Sequence, residues 1–277
     1  MTGKRVLVTG ATAGIGLETA KAIAKEGAEL IIVGRNEEKT KAVAEQVKAE
    51  TGNPNVTFLL ADLSSMAQVR RLAADFLARY DRLDVLVNNA GAVNPKRETT
   101  ADGHESTFAT NHLAYFLLTN LLVPALEKAA PSRVVCVASE AHRGSTLDFD
   151  DLMSERYSAF RTYSRSKLAN ILFGREAARR LQAKGISVNT LHPGVVGSNF
   201  IAGKGGFWGV IGTLSRVFLI SNEQGAKTSV FLATSKDVEG VTGKYFDKCR
   251  ERAPSAAAMD DAAAAKLWAI SEQLTAA

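Results

Sequence analysis

The sequence predicts a single α/β domain, a doubly wound parallel sheet of about seven strands with helices on both faces. Three observations predict it. Short β-branched runs alternate with amphipathic helical patterns along the chain. A glycine-rich turn follows the first strand and opens the first helix. No internal repeat, low-complexity block or linker interrupts the alternation. A chain of 277 residues with 46% hydrophobic content buries a sizeable core, and one domain over 1–277 suits that length better than two small ones.

Strands read at 5–9 (RVLVT), 30–33 (LIIV), 56–61 (VTFLLA), 85–87 (VLV), 134–138 (VVCVA), 187–191 (SVNTL) and, late, 243–246 (GKYF). Helical patterns fill the gaps at 15–26, 37–50, 67–79, 105–128, 163–183 and 223–233. The segment after the sixth strand is the most irregular: Gly203, Gly205, Gly206, Gly209 and Gly212 loosen it, and a substrate-side lid is expected at about 197–222.

The net charge of +5 and pI of about 9.2 do not point to nucleic acid, because the positive charge is scattered, as in Arg175, Arg179, Arg180 and Lys184, and forms no run. Some of the excess is suited to steering a phosphorylated ligand. Cys136 and Cys249 make neither a disulfide framework nor a metal cluster, and no metal is expected. The N-terminus enters a strand almost at once, with no room for a cleavable signal, so a cytoplasmic location is expected. The longest apolar stretch, 205–220, is too short to span a bilayer and carries Arg216, so no transmembrane segment is expected.

The turn at 9–16 reads TGATAGIG. Gly10 permits the tight exit from the strand, Gly14 lets backbone approach a phosphate, and Gly16 lets helix and strand pack. With Ala11, Thr12, Ala13 and Ile15 these residues form a candidate cradle for a dinucleotide pyrophosphate at a helix N-terminus. At the end of the second strand, where a carboxylate would take the ribose 2′-hydroxyl of NAD, the chain has Val33, Gly34, Arg35 and Asn36. Arg35 can pair with a 2′-phosphate through its planar fork, so NADP (NADPH) is favoured over NAD.

Tyr163 and Lys167 stand four positions apart in a helical pattern, which puts a phenol and an ammonium on one face. A tyrosine with an ordinary pKa of about 10 is a poor acid or base at neutral pH, but a cation held close favours the phenolate. Lys167 is placed to supply that cation.

With the turn and the Tyr163/Lys167 pair, further landmarks fall in order: Asp62-Leu63, NNAG at 88–91, Asn111, Ser139 and Pro193-Gly194. The chain thereby resembles the short-chain dehydrogenase/reductase family over nearly its whole length. SKLANILF after Tyr163, LHPGVV at 191–196, GVTGKYF at 240–246 and LWAISEQL near the C-terminus look like the retinol dehydrogenase and WW-domain oxidoreductase branch. Those relatives commonly carry a membrane segment or an added domain, neither of which is read in this sequence.

The resemblance implies roles. Tyr163 would be the general acid in carbonyl reduction and the base in alcohol oxidation. Lys167 would depress the tyrosine's pKa and hold the nicotinamide ribose, Ser139 would bind and orient the substrate oxygen, and Asn111 would position water in a proton relay. Asp62 and Leu63 would meet the adenine, Asn89 and Ala90 the adjoining ribose region, and Val196 and Ser198 the nicotinamide carboxamide. Ser198 stands where relatives most often carry Thr, which keeps the hydroxyl. Glu140, after the expected catalytic serine, replaces a more usual small residue and is expected to affect polarity near the substrate. His142 and His192 are acid/base-capable types, but His192, at a strand end beside Pro193, reads as structural.

The expected function is NADP-dependent interconversion of a carbonyl and an alcohol on an apolar small molecule, with retinoids, steroids, fatty aldehydes and aromatic ketones all open. The apolar content of 200–220 suggests a greasy lid over the nicotinamide, with core packing, a subunit contact or a membrane-surface contact as alternatives. Two rival functions remain: reduction of a carbon–carbon double bond, as in protochlorophyllide reductase relatives, and a non-catalytic NADP-binding sensor or interaction protein on the same scaffold. Homo-oligomers are common in the family, and nothing in the sequence chooses a state.

Overall fold

The structure, a computed structural model, describes residues 1–194 and 220–276. Val196, Ser198 and nearly all of the expected lid at 197–222 lie outside the described residues.

Eight strands form one sheet among the described residues: β1 (Arg5–Thr9), β2 (Glu29–Gly34), β3 (Val56–Leu60), β4 (Val85–Asn88), β5 (Ser132–Val137), β6 (Ile186–His192), β7 (Tyr245–Asp247) and β8 (Arg250–Glu251). Their order is β3-β2-β1-β4-β5-β6-β7-β8; β1 to β7 pair in parallel and β8 is antiparallel to β7. The eighth strand is a correction to the expected seven. It is only two exposed residues, Arg250 and Glu251, reached through Lys248 and Cys249 at positive φ, and so gives no hydrophobic run to read.

Helices α1 (Gly14–Lys25), α2 (Glu37–Thr51), α3 (Met66–Arg79), α4 (Ser106–Phe108), α5 (Ala114–Lys128), α6 (Ala159–Leu181), α7 (Asn222–Thr234) and α8 (Asp261–Leu274) cover the sheet. The central strands are apolar on both faces because both are covered. Val6 and Val8 face a core shared with α1, α2 and α7, while Leu7 between them faces the core of α3, α5, α6 and α8. Helix α8, which lies outside the six helical patterns read along the chain, docks through Trp268. Its ring stacks on Phe173 (centroids 5.9 Å, 18°), meets Phe116 edge-on (4.9 Å, 73°) and lies under the Arg180 guanidinium.

The unbroken helix expected over 105–128 is corrected. Helix α4 is a single turn, followed by a π turn at Ala109–Leu113 in which the Ala114 N–H reaches back five residues to the Ala109 carbonyl. Glu105 caps this start, its carboxylate accepting from the N–H groups of Thr107 (2.8 Å) and Phe108 (2.7 Å).

Strand order turns at β1 and β4, one crossover running outward to β2 and β3 and the other to β5 and β6. In an open parallel sheet that reversal leaves a crevice beyond the carboxyl ends of the strands. The segments leaving β1, β2, β3, β4, β5 and β6 all contribute to one cavity there, of about 840 Å³.

Candidate active site

The turn after β1 makes the floor of this cavity. Gly10 and Gly14 take φ of 64° and 59°, values that favour glycine. A Cβ on Gly10 would lie 2.7 Å from Ala90 Cα, and one on Gly16 would lie 2.3 Å from the Gly10 carbonyl oxygen. The first-turn N–H groups of α1 open on this side without a capping side chain, since Ala13 precedes the helix. By contrast, α2 and α3 are capped by Asn36 and Ser65. A glycine turn with no room for side chains and an uncapped helix start fits a dinucleotide pyrophosphate.

The other candidate cofactor residues surround it. Thr12, Ala13, Gly14 and Ile15 line the cavity, whereas Ala11 is fully buried and supports the turn from within. Arg35 is exposed at the rim, beyond β2, and no carboxylate occupies that strand end. Asp62 and Leu63 line the far wall, and the Asp62 carboxylate accepts from both the N–H and the hydroxyl of Ser64 (2.9 and 2.7 Å). Asn89 and Ala90 also line the cavity, but the Asn89 amide is committed to the turn, donating to the carbonyls of Thr9 (2.8 Å) and Gly10 (3.3 Å). Thr9 Oγ1 accepts from the backbone N–H groups of Asn89 and Ala90. It thus locks the NNAG segment to β1, a role for Thr9 that the sequence did not flag.

Helix α6 starts at Ala159, earlier than its apolar periodicity suggested, so Tyr163 and Lys167 sit in its second and third turns. Ser139 faces them from the end of β5, and all three line the cavity. Lys167 is 3% exposed; its ammonium donates to the Val137 carbonyl (2.9 Å) and lies 5.6 Å from the Tyr163 ring centre and 6.0 Å from that of Tyr115. Burial pulls its pKa down to about 8. The expected depression of the Tyr163 pKa is corrected: burial pushes the phenol up to about 12, and the hydrogen bond with Ser139 only partly opposes that. The physical reason is desolvation, which penalises both charged forms at once.

Asn111 does not line the cavity. It is fully buried behind it, its Oδ1 accepting from Ala92 N (2.7 Å) and its Nδ2 donating to Ala92 O (3.0 Å) and Ser166 Oγ (2.9 Å). Ser166 in turn donates to the Tyr163 carbonyl (2.7 Å). This bridge was also missed, although Ser166 stands beside Lys167 in the sequence YSRSK.

Glu140 stays charged but is paired in place. Burial works against its ionisation, but hydrogen bonds from Arg143 (2.7 Å) and Tyr245 (2.8 Å), with the charge of Arg143, hold the carboxyl below the usual range. His142 is buried, its Nδ1 paired with the Ser139 carbonyl (2.6 Å) and its Nε2 accepting from Ser255 N (3.1 Å), so it braces the turn that carries Ser139. His192 Nδ1 accepts from Glu140 N (3.2 Å), in keeping with a structural part, but the residue also lines the cavity.

A family model described as short chain dehydrogenase matches residues 4–204. The chain belongs to the short-chain dehydrogenase family. It is therefore an oxidoreductase of a family that uses a nicotinamide cofactor, and its similarity is to the retinol dehydrogenase branch. It is 41% identical over 283 residues to human (Homo sapiens) retinol dehydrogenase 13, covering 98% of this chain and 84% of that one. It is 42% identical over 291 residues to retinol dehydrogenase 14 of Mus musculus, covering 98% and 86%. Among solved structures, an uncharacterized protein from Mycobacterium Paratuberculosis superposes with a TM-score of 0.79 at 32% identity, covering 99% of this chain and 94% of that one. The Pseudomonas aeruginosa RhlG/NADP active-site complex superposes with a TM-score of 0.72 at 27% identity, covering 89% and 94%.

Among the described residues of this short-chain dehydrogenase no helix is long and apolar enough to cross a membrane, and no cluster of metal-binding side chains occurs. Because a Cβ at position 16 would also lie 2.4 Å from Asn89 Nδ2, Gly16→Ala must displace the turn that Asn89 ties together. The expected cost is about 1–3 kcal/mol of stability with much weakened dinucleotide binding, measured by chemical unfolding and by fluorescence titration.

Proposed function

We propose that the protein is an NADP-dependent oxidoreductase that interconverts a carbonyl and an alcohol on an apolar small molecule. The observation that carries this reading is the convergence of Tyr163, Ser139 and Lys167 in the same cavity as the glycine turn and Arg35. The 2′-phosphate would pair with Arg35, the pyrophosphate would lie on the start of α1, and Lys167 would hold the nicotinamide ribose. When bound, the nicotinamide supplies or accepts the hydride. Similarity to retinol dehydrogenases 13 and 14 supports retinoid-like substrates within the apolar class.

Ser139 orients the substrate oxygen, and Tyr163 gives its phenolic proton to that oxygen during reduction. A phenol pushed up to about 12 is fully protonated at neutral pH, the form an acid needs. In oxidation it must lose that proton first. Lys167, charged below about 8, stabilises the phenolate left by proton transfer. Asn111, anchored on Ala92 and Ser166, positions the π turn behind Lys167 for refilling the tyrosine with a proton from water.

Tyr163→Phe is expected to lower kcat by about 100- to 10,000-fold, the ordinary contribution of a general acid, with NADPH affinity nearly unchanged. Steady-state rates and fluorescence titration measure the two, and retained turnover would sink the mechanism. Mass spectrometry of the product separates carbonyl from carbon–carbon double-bond reduction, since only the former leaves a new hydroxyl.

The pH profile follows from the same groups. Lys167 is charged below about 8 and neutral above it, so kcat/KM for reduction should be level at lower pH and fall as pH rises through that value, with Tyr163 still protonated. A profile level up to pH of about 10 would exclude a required Lys167 charge. For the cofactor, Arg35→Ser should weaken NADPH roughly 10- to 100-fold, the worth of a charge-assisted hydrogen bond, and leave NADH unchanged. Equal wild-type affinities for the two would refute the preference.

A further inference from the structure

His192 ends β6, and among the described residues its ring makes one hydrogen bond, whose direction is not open to choice. Its Nδ1 lies 3.2 Å from the backbone nitrogen of Glu140, which can only donate. Nδ1 is therefore the acceptor, and in the neutral ring the proton is on Nε2. Burial keeps the ring's pKa below its ordinary value despite Asp247 and Glu140, so the ring is neutral at physiological pH. Nε2–H has no partner among the described residues, and it is not one of the sealed, unpaired polar atoms of the core. His192, 8% exposed, is among the residues lining the cavity that holds Tyr163 and Ser139.

We infer that His192 is a specificity-determining residue, whose Nε2–H donates to a second oxygen of the substrate, next to the carbonyl or alcohol that reacts. The inference rests on the carbonyl–alcohol reading above. Its position sets aside the pyrophosphate and adenosine end of the cofactor as the source of that oxygen, and the NADPH affinity of the variants separates the substrate from the nicotinamide end. The imidazole is held against the Ser139–Glu140 peptide, one residue from the hydroxyl that meets the reacting oxygen, and on the opposite side of the sheet's switch point from the glycine turn and Arg35. The carboxylate next to Ser139 is already satisfied: Glu140 is held by Arg143 and Tyr245. A neutral donor among satisfied neighbours favours an uncharged acceptor, a carbonyl or hydroxyl oxygen, over a carboxylate. Vicinal diketones, hydroxyketones and the corresponding diols carry that pattern.

Two substitutions separate ligand recognition from structural support. His192→Asn puts an amide oxygen near the Nδ1 position, keeping the acceptor for Glu140 N–H, and leaves nothing at Nε2; His192→Gln carries an amide N–H out to the Nε2 position. The assay uses NADPH-loaded enzyme with benzil, an aromatic vicinal diketone, and deoxybenzoin, its monoketone counterpart. Loss of a neutral hydrogen bond should raise the KM for benzil about tenfold in His192→Asn. Deoxybenzoin KM and NADPH affinity should stay within about twofold, and His192→Gln should keep benzil KM within about threefold of wild type. An unchanged benzil KM in His192→Asn, equal losses on both ketones, or a matching loss of NADPH affinity overturns the assignment. Heteronuclear NMR of the histidine ring nitrogens gives a readout that needs no turnover. Benzil, and not deoxybenzoin, should shift the His192 Nε2–H signal of the NADPH-bound enzyme, and absence of that shift overturns the role. If wild type reduces neither ketone while the shift persists, carbonyl reduction of these ketones fails and the His192 contact stands.

Discussion

The site is organised around one buried charge. The Lys167 ammonium, 3% exposed, has a single carbonyl partner in Val137 and two aromatic rings beside it. A cation so placed gives up much of its hydration, and burial lowers its pKa to about 8. The surroundings must therefore be arranged to keep it charged. Tyr115 is held in place by its hydroxyl, which donates to Ala90 O (2.7 Å), and the residue after Ala90 is Gly91, where a Cβ would stand only 3.5 Å from Lys167 Nζ. The segment that follows the phosphate turn's partner strand thus shapes the space around the ammonium. The proposed cofactor side and the proposed proton-transfer side of the cavity are built from the same backbone.

The geometry of α6 is transmitted rather than local. One helical turn sets the spacing of Tyr163 and Lys167, but the bridge Ala92–Asn111–Ser166–Tyr163 fixes where that turn sits relative to β4. All the polar atoms of the Asn111 amide are used in the bridge. It follows that Asn111 acts on the site through placement of the π turn and α6, and that its side chain is not free to touch a substrate. The same reasoning applies to His142, whose two ring nitrogens are both committed to backbone.

Much of this was legible in the sequence. Parallel strands buried on both faces leave β-branched runs, and the turn at 9–16 shows its glycines because Cβ atoms at Gly10 and Gly16 have no room. Asp62-Leu63, Asn89 to Gly91, Ser139 and Pro193-Gly194 fell into one cavity because each follows the carboxyl end of a strand, whereas Asn111, within the π turn, lies behind it. What escaped was set by contacts far apart in sequence. The π turn at Ala109–Leu113 lies in an apolar stretch indistinguishable by periodicity from a continuous helix, and it is the Asn111–Ala92 contact that accompanies the break. Spacing places a cation near a phenol but says nothing of desolvation, so the direction of the Tyr163 shift was out of reach. The shortness and exposure of β8 hid it for a similar reason.

Glu140 shows how a departure from the family's pattern is absorbed. A carboxylate beside Ser139 suggested a more polar substrate wall. In the folded chain its oxygens turn to Tyr245 and Arg143, while its backbone N–H goes to His192. Tyr245 also meets the His142 ring edge-on, at 5.2 Å between centroids, so Glu140, His142 and Tyr245 brace the short turn after β5 as one unit. A buried network of this kind is costly if partly satisfied and rigidifying when complete. Here the carboxylate and both His142 nitrogens are paired, leaving the net polarity at that wall to a neutral imidazole. A wall whose carboxylate is already paired admits an apolar substrate without stranding that ion, which supports the apolar class proposed for this enzyme.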